Sequence, residues 1–157
     1  MSQALKELED ISELLKEKLK ILNDIYDLTY EQNKQIKDND IDGFLRNVDR
    51  RQIRMDRIHN NDEKLNNLIN NLKIGYNISN IEDLNNDEVQ LINQLKEEIK
   101  GVANQAYGID IENNTIFKEK LKEVKEKAVG AKKGKKLTSK YYPKQTQFQG
   151  YFIDNKK

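Results

Sequence analysis

Between Ile41 and Leu72 the chain repeats apolar residues at alternating steps of three and four. Ile41, Val48, Met55, Asp62 and Ile69 share one heptad position, and Phe44, Arg51, Ile58, Leu65 and Leu72 share its partner; eight of these ten are apolar. A stripe held to one side for more than four heptads predicts a long amphipathic helix. About 32 residues at 1.5 Å per residue make a rod of ~48 Å. Such a rod needs partner helices to cover its stripe, and the rest of the chain must supply them or leave them as a tail.

Composition agrees with that demand. Hydrophobic residues make up 36% and charged residues 35% of 157 positions, which suits long helices that bury one stripe and expose the rest. One proline, Pro143, and seven glycines are too few for the turns of a many-stranded sheet. The chain has no cysteine, so disulfides, thiolate metal sites and thiol catalysis are excluded. No apolar run approaches the ~20 residues of a membrane span, and the N-terminus lacks a secretory pattern, so a cytoplasmic protein without membrane insertion is expected. The net charge of +1 hides an asymmetry: residues 129–157 hold eight lysines and one aspartate, a balance of +7, which leaves −6 on the preceding 128 residues.

Residues 4–37 read as a first helix. Leu8, Leu15, Leu22 and Ile36 share one heptad position, flanked by Leu14, Ile21 and Leu28 on one side and Ile11, Leu19, Ile25 and Tyr26 on the other. That face is broader than a two-helix seam requires, so it should touch two neighbours. Asp38-Asn39-Asp40 breaks the pattern; Asp40 is placed to cap the next helix, and so short a break should reverse the chain into an antiparallel hairpin. A turn centred near Asn39 puts Asp27 level with Arg51 and Lys16 level with Asp62, giving each charged seam residue an opposite charge. Residues 73–86 read as a loop, with an S-x-x-E turn from Ser79 to Glu82. A third helix starts near Asp87. Its stripe runs through Ile92, Leu95, Ile99, Val102, Ala106, Ile109 and Ile116, then shifts phase to Phe117, Leu121, Val124 and Ala128. Gly101 and Gly108 each cost ~1 kcal/mol relative to alanine and mark close packing or a flexible middle. The expected fold is therefore all-α, an elongated bundle of three long helices. It comprises an antiparallel hairpin over 4–72, a third helix over 87–128, and a basic, aromatic-containing tail over 129–157 that is flexible or folds on binding.

Four features carry candidate chemistry. Asp38-x-Asp40-x-Asp42-Gly43, followed by Asp49, matches the D-x-D-x-D-G start of a calcium loop between two helices. Against it, Asp49 stands where a bidentate Glu belongs, and the helical stripe already begins at Ile41; the plainer reading is a helix cap with an acidic first turn. All five arginines lie within 46–57, while 23 lysines are spread widely. Arg46, Arg50, Arg54 and Arg57 form a ridge that could grip an acidic partner through paired bonds to carboxylates, or simply be a solvated face with local pairs such as Asp42–Arg46. Lys132, Lys133, Lys135 and Lys136 could meet nucleic acid or anionic lipid, with downstream aromatics stacking on bases. The acidic body and the lack of a nucleic-acid motif favour a solubilising linker. The single histidine, His59, has no His or Cys companion for a metal. No nucleophile elbow, P-loop or dinucleotide fingerprint occurs, so neither an enzyme nor a cofactor is expected. Five of the eleven aromatics fall within 141–152. Tyr142, Phe148, Tyr151 and Phe152 are the natural anchors for a tail that folds on a partner.

The chain resembles the FlgN family of flagellar export chaperones. The likeness rests on the opening Leu5-x-x-Leu8 helix, Gln32 near its end, the short turn at Asp40 and the Phe44-Leu45-x-x-Val48 continuation with its basic residues. It rests also on Asn113-Asn114-Thr115-Ile116-Phe117-x-x-x-Leu121 in the third helix, and on Gly150-Tyr151-Phe152-Ile153-Asp154 with terminal lysines. The resemblance implies a small cytoplasmic helical protein without enzymatic activity. It would bind the C-terminal helical segments of hook–filament junction (hook-associated) proteins and deliver them to the flagellar type III export apparatus. It also implies that the partner contacts lie on Asn113, Ile116, Phe117, Leu121 and Val124 and on Tyr141, Tyr142, Phe148, Tyr151, Phe152 and Ile153. Other readings are a filament-cap-type export chaperone, a calcium-responsive regulator using residues 38–49, and a nucleic-acid or membrane adaptor using the basic tail. Self-association through leftover apolar surface is a further expectation.

Overall fold

The computed structural model describes residues 2–127 and consists of three long helices: α1 (Ser2–Lys37), α2 (Ile41–Tyr76) and α3 (Asp87–Glu126). A single 3-10 turn, Ile81–Asp83, lies in the connection between α2 and α3. The all-α bundle expected from periodicity is what the chain forms. Residues 128–157, with the lysines and aromatics of the tail, lie outside the described residues.

The α1–α2 reversal takes three residues because Asp40 serves both helices. Asn39 adopts a left-handed conformation, with φ 61°. The Asp40 amide then donates to Gln35 O at 2.8 Å and the Asn39 amide to Ile36 O at 3.4 Å, which satisfies carbonyls at the end of α1. The Asp40 carboxylate meanwhile accepts from the Gly43 amide at 3.0 Å and caps α2. Asn77 repeats the left-handed stop at the end of α2, where φ is 51° and the Ile78 amide donates to Lys73 O at 3.0 Å. Asparagine tolerates this conformation better than other non-glycine residues. Helix α2 thus outlasts its stripe by one turn. The turn expected at Ser79–Glu82 forms one residue later, with the Asn80 amide donating to the Asp83 carboxylate at 3.2 Å.

Helix α1 packs against both other helices, antiparallel to α2 and parallel to α3, whereas α2 and α3 approach each other sparsely. The broad apolar face of α1 is used on two sides, as its width predicts. The larger core joins Leu8, Ile11, Leu15, Leu22 and Ile25 of α1 to Met55, Ile58, Leu65 and Leu72 of α2 and to Ile92, Ile99 and Ala106 of α3. A smaller one at the hairpin end contains Ile36, Phe44, Val48, Phe117 and Leu121.

Two details of the expected register change. Asp62 pairs with Lys18, one half-turn from Lys16, at 2.7 Å. Arg51 finds its carboxylate on α3, at Asp110, while Asp27 is exposed on α1. The buried stripe of α3 also shifts phase earlier than its apolar residues suggest, taking Ala103 and Asp110 inside and leaving Val102 and Ile109 half-buried. Gly101 and Gly108 are exposed, and a Cβ at either would meet nothing within 4 Å, so neither marks a close approach. No described helix is long and apolar enough to cross a membrane.

Candidate functional site

The two apolar cores are separated by a layer of polar side chains. Thr29 and Gln32 of α1, Asn47 and Arg51 of α2, and Asp110 and Asn113 of α3 are all buried at the same height in the bundle. Burial on this scale is costly unless hydrogen bonds replace water. Most of the replacements are present, and Arg51 Nε is the atom of the layer left without a hydrogen bond. One Arg51 Nη donates to Asp110 Oδ1 at 2.8 Å and to Gln32 Oε1 at 2.7 Å. Gln32 Nε2 donates onward to Phe44 O at 3.1 Å. Asn113 Nδ2 donates to Thr29 O at 3.0 Å, and Asn113 Oδ1 accepts from Asn33 Nδ2 at 2.8 Å. Asn47 Nδ2 donates to Gln35 Oε1 at 3.0 Å. The network draws on all three helices and fixes their mutual register, the best-attested use of buried polar groups.

Beyond this layer, toward the hairpin turn, Phe44 and Phe117 stack with ring centroids 5.7 Å apart and planes 14° from parallel. Ile41, Leu45 and Ile116 pack around the pair and are only partly buried. Val124, one turn after Leu121, is partly buried as well. The hairpin end therefore offers an apolar rim on α2 and α3 around a small aromatic core, cut off from the main core by polar groups.

The sequence-chosen partner residues divide accordingly. Asn113 and Phe117 are 0% and 1% exposed, and Leu121 is also buried, so the bundle itself occupies them and a partner could not touch them without displacing α3. This corrects their expected place on a binding surface; Ile116 and Val124 are partly buried. Tyr141, Tyr142, Phe148, Tyr151, Phe152 and Ile153 lie outside the described residues, as do Lys132, Lys133, Lys135 and Lys136. Leu45 and Ile41 belong to this rim although the family resemblance assigns them no partner contact. The signal that could have found them is the stripe itself, which widens at its start beyond what α1 alone can cover.

The calcium reading meets a specific obstacle. Asp40 is committed to the α2 cap, Asp42 stands in the first helical turn and Asp49 two turns further along, so the four aspartates do not surround a common point. Gly43 has a local explanation too, since a Cβ there would collide with the Asp40 carboxylate and come within 2.8 Å of Gln35 Nε2. Among the described residues no group of three or more His, Asp or Glu could hold a metal ion. His59 is exposed and sits 3.2 Å from Glu63 on the same helix. In the arginine ridge, Arg46, Arg50 and Arg57 are exposed, and Arg54 reaches Asp24 of α1 at 3.9 Å.

Comparison with protein-family models, with curated proteins and with solved structures returns no match to this chain.

Proposed function

We propose that this chain is an export chaperone of the FlgN type, a binding module without turnover that holds the C-terminal helical segment of a hook–filament junction protein. The observation that carries the proposal is the partly buried apolar rim of Ile41, Leu45 and Ile116 around the Phe44–Phe117 pair, at the end of the bundle where α3 ends. An amphipathic helix laid across this rim would bury its apolar stripe where α2 and α3 leave their own unfinished. The likeness of Phe44-Leu45-x-x-Val48 and Asn113-Asn114-Thr115-Ile116-Phe117 to the FlgN family supports the same client class. The aromatic residues of the tail, Tyr142, Phe148, Tyr151 and Phe152, would add anchors once the client is seated.

The deciding experiment is calorimetric titration of the full chain with C-terminal segments of hook-associated proteins and, in parallel, of a filament-cap protein. Binding of a hook-associated segment, weakened at least about tenfold by Leu45→Asp or Ile116→Asp, is the expected result, a loss of ~1.4 kcal/mol. Binding of the filament-cap segment alone would reassign the client. Binding of neither would remove the export-chaperone reading.

A further inference from the structure

Helix α2 differs from its neighbours in charge. It holds seven Arg and Lys against five Asp and Glu, whereas α1 holds six against eight and α3 six against nine. All five arginines of the chain fall within three turns of it, and only Arg51 points inward. Arg46, Arg50 and Arg57 are exposed, and among the described residues neither Arg46 nor Arg57 has an ion-pair or hydrogen-bond partner. Arg50 donates only to the neutral Asn47 Oδ1, at 3.1 Å. In their midst stands Ile53, 54% exposed. The helical spacing makes these residues neighbours: Arg46 to Arg50 and Ile53 to Arg57 are four apart, and Arg50 to Ile53 three.

We propose that this outer face of α2 is a second docking surface, one that takes an acidic amphipathic helix. The partner would place one aliphatic side chain on Ile53 and carboxylates one to two turns on either side, against Arg46, Arg50 and Arg57. The ridge covers twelve residues, eleven steps of rise or ~16 Å, which matches three turns of an opposing helix. Guanidinium groups grip carboxylates through two parallel bonds, and an uncovered apolar residue at the centre with cations at the rim is the arrangement of a protein–protein contact. Ile53 has nothing to offer a phosphate backbone, and the net negative charge of the other two helices repels a long polyanion, so nucleic acid fits the face poorly. The face lies on the side of α2 away from Ile41 and Leu45. It does not depend on the client reading, and both helices could be held at once.

The test uses the full chain and three probes. One is a short synthetic helix of Glu and Ala with a single central Leu, the second the same peptide with Gln for every Glu, and the third a short DNA duplex. Backbone amide shifts followed by NMR at physiological salt should respond to the Glu peptide over residues 46–57. Arg46→Glu with Arg57→Glu should weaken that binding at least about tenfold, and Ile53→Ser severalfold. These positions are exposed, so an unchanged thermal melt verifies that each variant is folded. The proposal is overturned if the Glu peptide does not bind, if the Gln peptide binds as well, if the shifts map elsewhere, or if the duplex binds more tightly than the Glu peptide.

Discussion

The Arg51 guanidinium lies 2.8 Å from the Asp110 carboxylate across the α2–α3 seam, and their side chains are only 4% and 0% exposed. A buried pair of this kind offsets its own desolvation only while both members are present. Asp110→Ala strands a cation in the bundle and should lower stability by about 3–5 kcal/mol in urea denaturation. Replacing both residues, Arg51→Met with Asp110→Leu, removes the stranded charge and should recover most of that loss. A double variant as unstable as the single one would mean that Gln32 and Asn113, not the ion pair, hold the layer together.

The Lys18–Asp62 pair tests the same principle at partial burial. Lys18 is 7% exposed at the side chain and Asp62 23%, with 2.7 Å between them. Asp62→Ala should cost about 1–3 kcal/mol, since the ammonium keeps its buried stem but loses its charged partner. The exposed Lys16–Glu13 pair is the control, and Glu13→Ala should change stability by less than about 0.5 kcal/mol. Equal effects at the two sites would show that burial does not set the strength of these contacts.

Periodicity made the three helices, the antiparallel hairpin and the double-sided use of α1 legible, because apolar spacing at 3.6 residues dictates which face must be covered. Asp110 was harder to see. Ile109 beside it carries the stronger hydrophobic signal, yet Ala106, Asp110, Asn113 and Phe117 continue the buried stripe at steps of four, three and four. What pulls Asp110 inside is Arg51, a residue 59 positions away, and a one-dimensional pattern cannot weigh such a partner. The same limit applies to Phe117. Its place beside Asn113 marked it as part of a site, but only the stack on Phe44 shows that the bundle itself occupies it. The arginine ridge could be read from spacing, whereas three dimensions were needed to show that no carboxylate among the described residues pairs with Arg46 or Arg57.

Asp40 carries a prediction that separates a helix cap from a cation site. Its carboxylate accepts the Gly43 amide, and its own amide donates to Gln35 O. Asp40→Ala removes only the first of these bonds and should cost about 1 kcal/mol. Adding millimolar calcium to the unaltered chain should leave its melting temperature unchanged, because a ligand stabilises a fold only by binding it. A rise in melting temperature with calcium that Asp42→Asn abolishes would restore the loop as a metal site.

The polar layer also predicts where a lost aromatic ring will be felt. Phe117→Ala removes the partner of Phe44 and should cost about 3–5 kcal/mol if the cavity does not collapse. The smaller core of Ile36, Phe44, Val48, Phe117 and Leu121 shares no buried apolar residue with the larger one. The layer of Arg51, Asp110, Gln32 and Asn113 stands between them. Opening of the hairpin end can therefore proceed while the larger core stays packed, as a local unfolding unit. In the Phe117→Ala chain, amide hydrogen exchange should accelerate over residues 36–48 and 113–124 by more than tenfold. Exchange at Leu8–Ile25 and Ile92–Ala103 should change little. Uniform acceleration along all three helices would mean that the polar layer transmits the loss and that the bundle opens as one unit.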